Sequence, residues 1–215
     1  MEAKQMITRS GQTITKLYVR ENKQGEKSSR TITGYAILFG KASAPLWSDE
    51  DSEAREIISK DAITKTLLDK CDIKMTMFHD RQLILARSNK GKGTLSYTVD
   101  GFGVKFSFEA PNTTDGDKAI ELVKRGDIAG CSFAFSTYYN DSKYVERSTQ
   151  YSNGKTLITY TVKAVTGIYD FTLASDPAYP DTSVKAREFV KQLRESKANR
   201  QVIQMRKEAA RKPMI

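Results

Sequence analysis

The chain has one histidine, two cysteines, one tryptophan and five prolines in 215 residues, and these scarcities narrow what it can do. Imidazole is the side chain whose ordinary titration lies nearest neutral pH, so a general base of the usual kind has one candidate, His79. One histidine with two cysteines, Cys71 and Cys131, offers no metal-ligand spacing. A zinc site is therefore not expected, and both thiols are read as reduced. No apolar run approaches the roughly 20 residues needed to cross a bilayer. The opening Met1-Glu2-Ala3-Lys4-Gln5-Met6 lacks the apolar stretch of a secretion signal, so a cytoplasmic protein with no membrane contact is expected. No Gly-Lys-Ser/Thr follows the glycines at 126 and 130, which excludes a phosphate-binding loop.

What is present describes a folded core with a charged appendage. Hydrophobic residues make up 39% of the chain and charged residues 28%, a balance that supports one well-buried domain. The net charge of +9 is unevenly spread: Ser183 to Ile215 holds ten Lys/Arg and three Glu, a net of +7, leaving +2 for the first 182 residues. This predicts a nearly neutral domain over 1–182 and a basic tail over 183–215. In the tail Phe189, Val190 and Leu193 recur at helical spacing, which predicts an amphipathic helix. Pro177 and Pro180 mark the boundary.

The first 182 residues read mainly as strands. Thr13–Val19 and Thr31–Phe39 alternate apolar and polar, with polar connectors over 21–29 and 48–53. Asp100-Gly101 and Asn153-Gly154 each separate two strand-like runs, and both dipeptides suit the positive φ angles of tight hairpins. The stripe Phe102, Phe106, Phe108 has the period of a core-facing strand, rather than of a platform for stacking bases. A short helix is expected over Ala62–Leu68, capped by Ser59 or Asp61, with Ile63 and Leu67 on one face. A second fits Asp115–Arg125, ended by Gly126.

The segment Gly126-Asp127-Ile128-Ala129-Gly130-Cys131-Ser132-Phe133-Ala134-Phe135-Ser136 leads from that helix into a strand. Alternation puts Ser132, Ala134 and Ser136 on one face and Cys131, Phe133 and Phe135 on the other. A strand serine beside small residues leaves room for a carbonyl group, and as a nucleophile it needs a base and a carboxylate to orient that base.

Four blocks, in order, resemble the prohead proteases of tailed bacteriophages. They are Gly34-Tyr35-Ala36 with Phe39-Gly40, then Phe78-His79-Asp80, then Leu122 to Phe135, then Tyr169 to Thr182, together spanning roughly 30–187. The resemblance implies a serine endopeptidase that cleaves scaffold and major capsid protein precursors inside the immature head, in the host cytoplasm, and that needs no metal or organic cofactor. It implies a fold similar to the herpesvirus assembly proteases: α+β, mainly β, a partly closed antiparallel barrel flanked by helices. By position it puts the histidine at His79 and the nucleophile at Ser132. The third member falls on Asp170, with Asp176 and Asp127 open as alternatives. Herpesvirus relatives use a second histidine there, and this chain has none. Asp80 ranks lower, since a strand would turn it away from His79. Cys131 is the rival nucleophile, with a buried core residue as its default. Backbone N–H groups near Ala174–Asp176 are the implied oxyanion donors. Self-processing and a homodimer are further implications. The basic tail is read as a solvated helix, a scaffold-binding element or a nucleic-acid contact. The competing class is a non-catalytic assembly protein on the same β fold, with the tail binding capsid, scaffold or DNA.

Overall fold

The structure, a computed structural model, describes residues 6–13, 17–19 and 29–175, so the tail expected over 183–215 lies outside the described residues. The elements run β1 (Met6–Thr13), β2 (Tyr18–Val19), β3 (Thr31–Leu38), β4 (Trp47–Ser48), β5 (Ser52–Ile58), α1 (Lys65–Leu68), β6 (Asp72–Met77) and β7 (Asp80–Asn89). Then come β8 (Lys92–Gly93), β9 (Leu95–Val99), β10 (Gly103–Glu109), α2 (Thr114–Arg125), β11 (Gly130–Tyr138), β12 (Val145–Ser152), β13 (Lys155–Val162) and β14 (Gly167–Ala174).

The strands form three sheets. One has the order β1-β11-β14-β6-β7-β8, a second β2-β3-β10-β9, and the third β12-β13-β5-β4. The mainly β expectation holds, but no closed barrel is found among the described residues. The all-antiparallel expectation is corrected at two places, because β14 pairs with β6 and β13 with β5 in parallel. Alternation in a sequence shows which face a strand buries. It carries no information about a partner's direction.

Local chemistry explains most boundaries. In β3 the buried positions Ile32, Gly34, Ala36 and Ile37 follow the apolar alternation closely. The Asn153-Gly154 hairpin is a two-residue turn between the paired Ser152 and Lys155, with φ of 51° and 77° at its two residues. α2 starts on a Thr113 side chain that accepts from the Gly116 N–H, and it ends, as the sequence predicts, at Gly126 with φ 83°.

Several expectations are corrected. Asp100-Gly101 makes no positive-φ turn; the Asp100 carboxylate instead accepts from the Phe102 and Gly103 N–H groups. The strand therefore starts at Gly103, and Phe102 is 74% exposed rather than part of the core stripe with Phe106 and Phe108. The helix expected over 62–68 divides into a single 3-10 turn at Lys60–Ala62 and α1, because the β-branched pair Ile63-Thr64 is extended between them. Thr64, not Ser59 or Asp61, caps α1 by accepting from the Leu67 N–H. Half of the polar segment over 48–53 is paired, with Ser48 in β4 and Ser52 and Glu53 in β5, leaving Asp49–Asp51 as the turn between them. Of the strand expected over 13–19, Thr13 closes β1 and Tyr18–Val19 form β2, while residues 14–16 lie outside the described residues.

Large apolar side chains fill the interior: Phe106, Phe133, Phe135, Phe171, Ile32, Ile37 and Met75 are all essentially inaccessible. Each contributes roughly 1.5–3 kcal/mol through burial. β11 and β14 lie inside the six-stranded sheet, and most residues on both of their faces are buried. Polar side chains there cannot rely on solvent and must find partners within the protein.

Candidate active site

Ser132 lies on β11, opposite Thr172 of β14, and is 2% exposed. Its face carries Ala134, whose methyl lies opposite Asp170 and occupies little space. The other face holds Cys131, Phe133 and Phe135, with the two rings stacked at 5.3 Å. Cys131 is fully buried, and desolvation pushes its thiol far up, so the reactive thiolate is suppressed. Its Sγ–H donates at 3.4 Å to the Ser132 carbonyl. This is the environment of a small core residue.

His79 is held by a turn of unusual backbone. Met77 of β6 pairs with Asp80 of β7, leaving Phe78 and His79 as a two-residue loop with φ of 56° and 58°. Those are the left-handed angles of a primed hairpin turn, normally taken by Asn or Gly. For residues with a Cβ the conformation costs about 1–2 kcal/mol each. The turn is fastened to β14 at both residues. The Phe78 N–H donates to the Leu173 carbonyl at 3.0 Å, and the His79 N–H to the Thr172 hydroxyl at 2.9 Å.

Asp170 reaches the imidazole because β14 is irregular there. Ala134 pairs with Asp170 but Phe135 pairs with Ile168, so Tyr169 is an extra residue. Such a bulge re-aims the neighbouring side chain. The Tyr169 hydroxyl donates to Ser136 Oγ at 3.0 Å, and Ser136 also bonds Thr166 at 2.8 Å. Asp170 is buried, with its side chain 9% exposed against 27% for His79.

The three side chains meet. His79 Nδ1 is 2.9 Å from Asp170 Oδ1, and His79 Nε2 is 2.8 Å from Ser132 Oγ. A carboxylate at Nδ1 requires the proton on that nitrogen, which leaves Nε2 as the acceptor for the serine hydroxyl. The arrangement can take a proton from the hydroxyl and stabilise the resulting imidazolium.

The other sequence candidates lie elsewhere. Asp80 is exposed and accepts from the Gln82 N–H, and Asp127 pairs with Arg125 at 2.9 Å. Asp176 lies outside the described residues, as does that end of the expected oxyanion segment. Among the described residues no cluster of His, Cys, Asp and Glu could hold a metal, and no helix is long and apolar enough to cross a membrane. Sequence reasoning missed Thr172, Thr76 and the Tyr169 bulge. Thr172 had a signal: it is two residues from Asp170, and so on the same face of a strand.

Residues 15–196 match the model of the caudovirus prohead serine protease family. No curated protein matches the chain. Among solved structures, the bacteriophage T4 capsid assembly protease is similar at a TM-score of 0.36 and 11% identity, over 79% of this chain and 96% of that chain. A likeness of that size carries no argument about the site. The family match runs from ahead of β2 to beyond β14 and covers most of the sequence. The chain belongs to the caudovirus prohead serine protease family, and it is a serine protease.

Proposed function

We propose that the protein is an endopeptidase that cleaves scaffold and major capsid protein precursors inside the prohead, in the host cytoplasm, with Ser132 as nucleophile, His79 as base and Asp170 as orienting carboxylate. The observation that carries the reading is the continuous pair of contacts, 2.8 Å from Ser132 Oγ to His79 Nε2 and 2.9 Å from His79 Nδ1 to Asp170. Family membership supports the substrate class.

In the first step Ser132 Oγ bonds to the scissile carbonyl carbon while its proton passes to His79 Nε2. The C–N bond then breaks, and the same proton goes to the departing amine, leaving an acyl-enzyme. Water adds to the acyl carbon with His79 again as base. The Ser132–acyl bond breaks, and the proton returns to Oγ. Asp170 stays ionised throughout, holding the tautomer and facing the imidazolium when it forms.

The test is co-assembly of the scaffold and capsid precursors with wild type, Ser132→Ala or Cys131→Ala, followed by intact mass measurement. Cleavage is expected from wild type and Cys131→Ala and lost in Ser132→Ala. Cleavage that survives in Ser132→Ala and disappears in Cys131→Ala sinks the assignment of the nucleophile. Assembled particles that wild type leaves uncut favour the non-catalytic assembly reading.

A further inference from the structure

We infer that Thr172, supported by Thr76, is a positioning residue that sets the imidazole of His79 through its backbone. The inference rests on His79 acting as base for Ser132, and it adds a role that the contacts among those three side chains do not describe.

Thr172 is completely buried in the middle of the six-stranded sheet. It lies opposite Ser132 on β11 and beside Thr76 on β6, so one row across three strands reads Ser132, Thr172, Thr76. Its Oγ1 accepts from two donors, the His79 N–H at 2.9 Å and the Thr76 hydroxyl at 2.9 Å. The first fixes the backbone of a residue whose φ of 58° is costly for a side chain with a Cβ. The second fixes the rotamer of Thr172 itself, because a hydroxyl that receives a buried donor cannot swing away without leaving it unpaired.

The geometry links nucleophile and base through a single rung. Ser132 moves with β11, His79 with the β6–β7 turn, and β14 lies between them. A contact of 2.8 Å between Oγ and Nε2 requires those two elements to keep their offset. Thr172 is the one side chain among those described that is paired in register with Ser132 and hydrogen-bonded to the His79 backbone. Without its oxygen the turn keeps only its Phe78 anchor on β14, and His79 relaxes toward ordinary φ, which tilts the ring away from Oγ and from Asp170. Misplacement on the order of 1 Å lowers rates by about a hundredfold.

The experiment uses the full chain with a fluorophosphonate that labels an activated serine, separating the maximal labelling rate from reagent affinity. His79 is the only histidine, so the proton on its Nδ1 gives an unambiguous NMR signal that reports the bond to Asp170. Thr172→Val is expected to lower the maximal rate roughly 10–100-fold. Affinity should stay within about twofold, the imidazole signal should broaden or vanish, and unfolding should remain cooperative. Thr172→Ser, which keeps the oxygen, should restore both rate and signal. If valine prevents folding, Thr172→Ala removes the same oxygen without bulk and is read in the same way. Wild-type labelling and an unaltered signal in Thr172→Val overturn the inference. So does a Thr172→Ser variant as impaired as Thr172→Val, since the methyl and not the hydroxyl would then matter. Labelling that persists in Ser132→Ala instead brings down the underlying reading of the site, and is distinguishable from both.

Discussion

At His79 two demands conflict, and the protein meets both at a cost. The imidazole stands between Ser132 and Asp170, and the tight turn that puts it there forces positive φ on Phe78 and His79. Phe78 is 43% exposed and carries the same strain, so Phe78→Asn should stabilise the protein by about 0.5–1 kcal/mol, because Asn tolerates the left-handed region. A melting curve checks it, with the midpoint rising by about 2–4 °C per kcal/mol for a chain of this size. Asp170→Asn should keep the fold and lower kcat by roughly 10³–10⁴, because an amide can donate to Nδ1 and favour the wrong tautomer. Steady-state cleavage of a peptide copied from a mapped site measures it. At this scale scarcity singled out His79 as the candidate base, and the family blocks added Ser132 and Asp170 as its candidate partners. The strained turn was not readable, since nothing about Phe78-His79 signals positive φ in the way Asn153-Gly154 does.

Elements show where local sequence governs and where contacts override it. Asn153-Gly154 and Asp100-Gly101 look alike in sequence, but only the first makes a turn with positive φ. In the second the Asp100 carboxylate takes up the Phe102 and Gly103 N–H groups, and Gly103 packs where an added Cβ would stand 1.9 Å from the Ile37 carbonyl oxygen of β3. Gly103→Ala should therefore destabilise by about 2–4 kcal/mol. Gly101→Ala, with nothing within 4 Å of the new methyl, should be nearly neutral. Denaturant titration of the two variants checks the pair.

The β6–β7 hairpin carries an acid-sensitive link. Arg87 donates to both oxygens of Asp72 at 2.6 and 2.8 Å, and Lys74 adds a contact at 3.2 Å. Arg87 first, and Lys74 after it, hold the Asp72 carboxyl at about 2, below its ordinary 3.8. A depressed carboxylate stabilises the fold above its ordinary value, and the contribution is lost as pH falls through about 2. Both partners are more than a third exposed, so solvent screening keeps the effect below about 1 kcal/mol. Asp72→Asn should be slightly less stable than wild type at neutral pH and indistinguishable near pH 2. Stability measured across that range tests the sign.

For the whole molecule, the candidate site exists only when the central sheet does. His79 is 53 residues from Ser132 and 91 from Asp170 in sequence, and β14 bridges β11 and β6. No shorter stretch of chain brings the three together. Loss of activity in urea should therefore share one midpoint with loss of β-structure, and a site that failed well before the sheet would contradict this. Pairings this distant close slowly, so folding in milliseconds to seconds is expected. The mainly β character and the in-or-out faces were legible because alternation is a local property. The two parallel pairs and the three-sheet layout were not, because they depend on which distant strands meet.

One consequence concerns living at high density. β12 ends its sheet among the described residues, and Glu146, Arg147, Ser148, Thr149, Gln150 and Tyr151 along it are all exposed. An outermost strand offers unpaired backbone groups to any neighbour, and copies of a protein can stack along such edges into insoluble chains. Polar and charged side chains, with one of each sign at its start, make that stacking unfavourable. This edge strand thus bears on colloidal behaviour: its side chains disfavour polymerisation where many copies share a small volume.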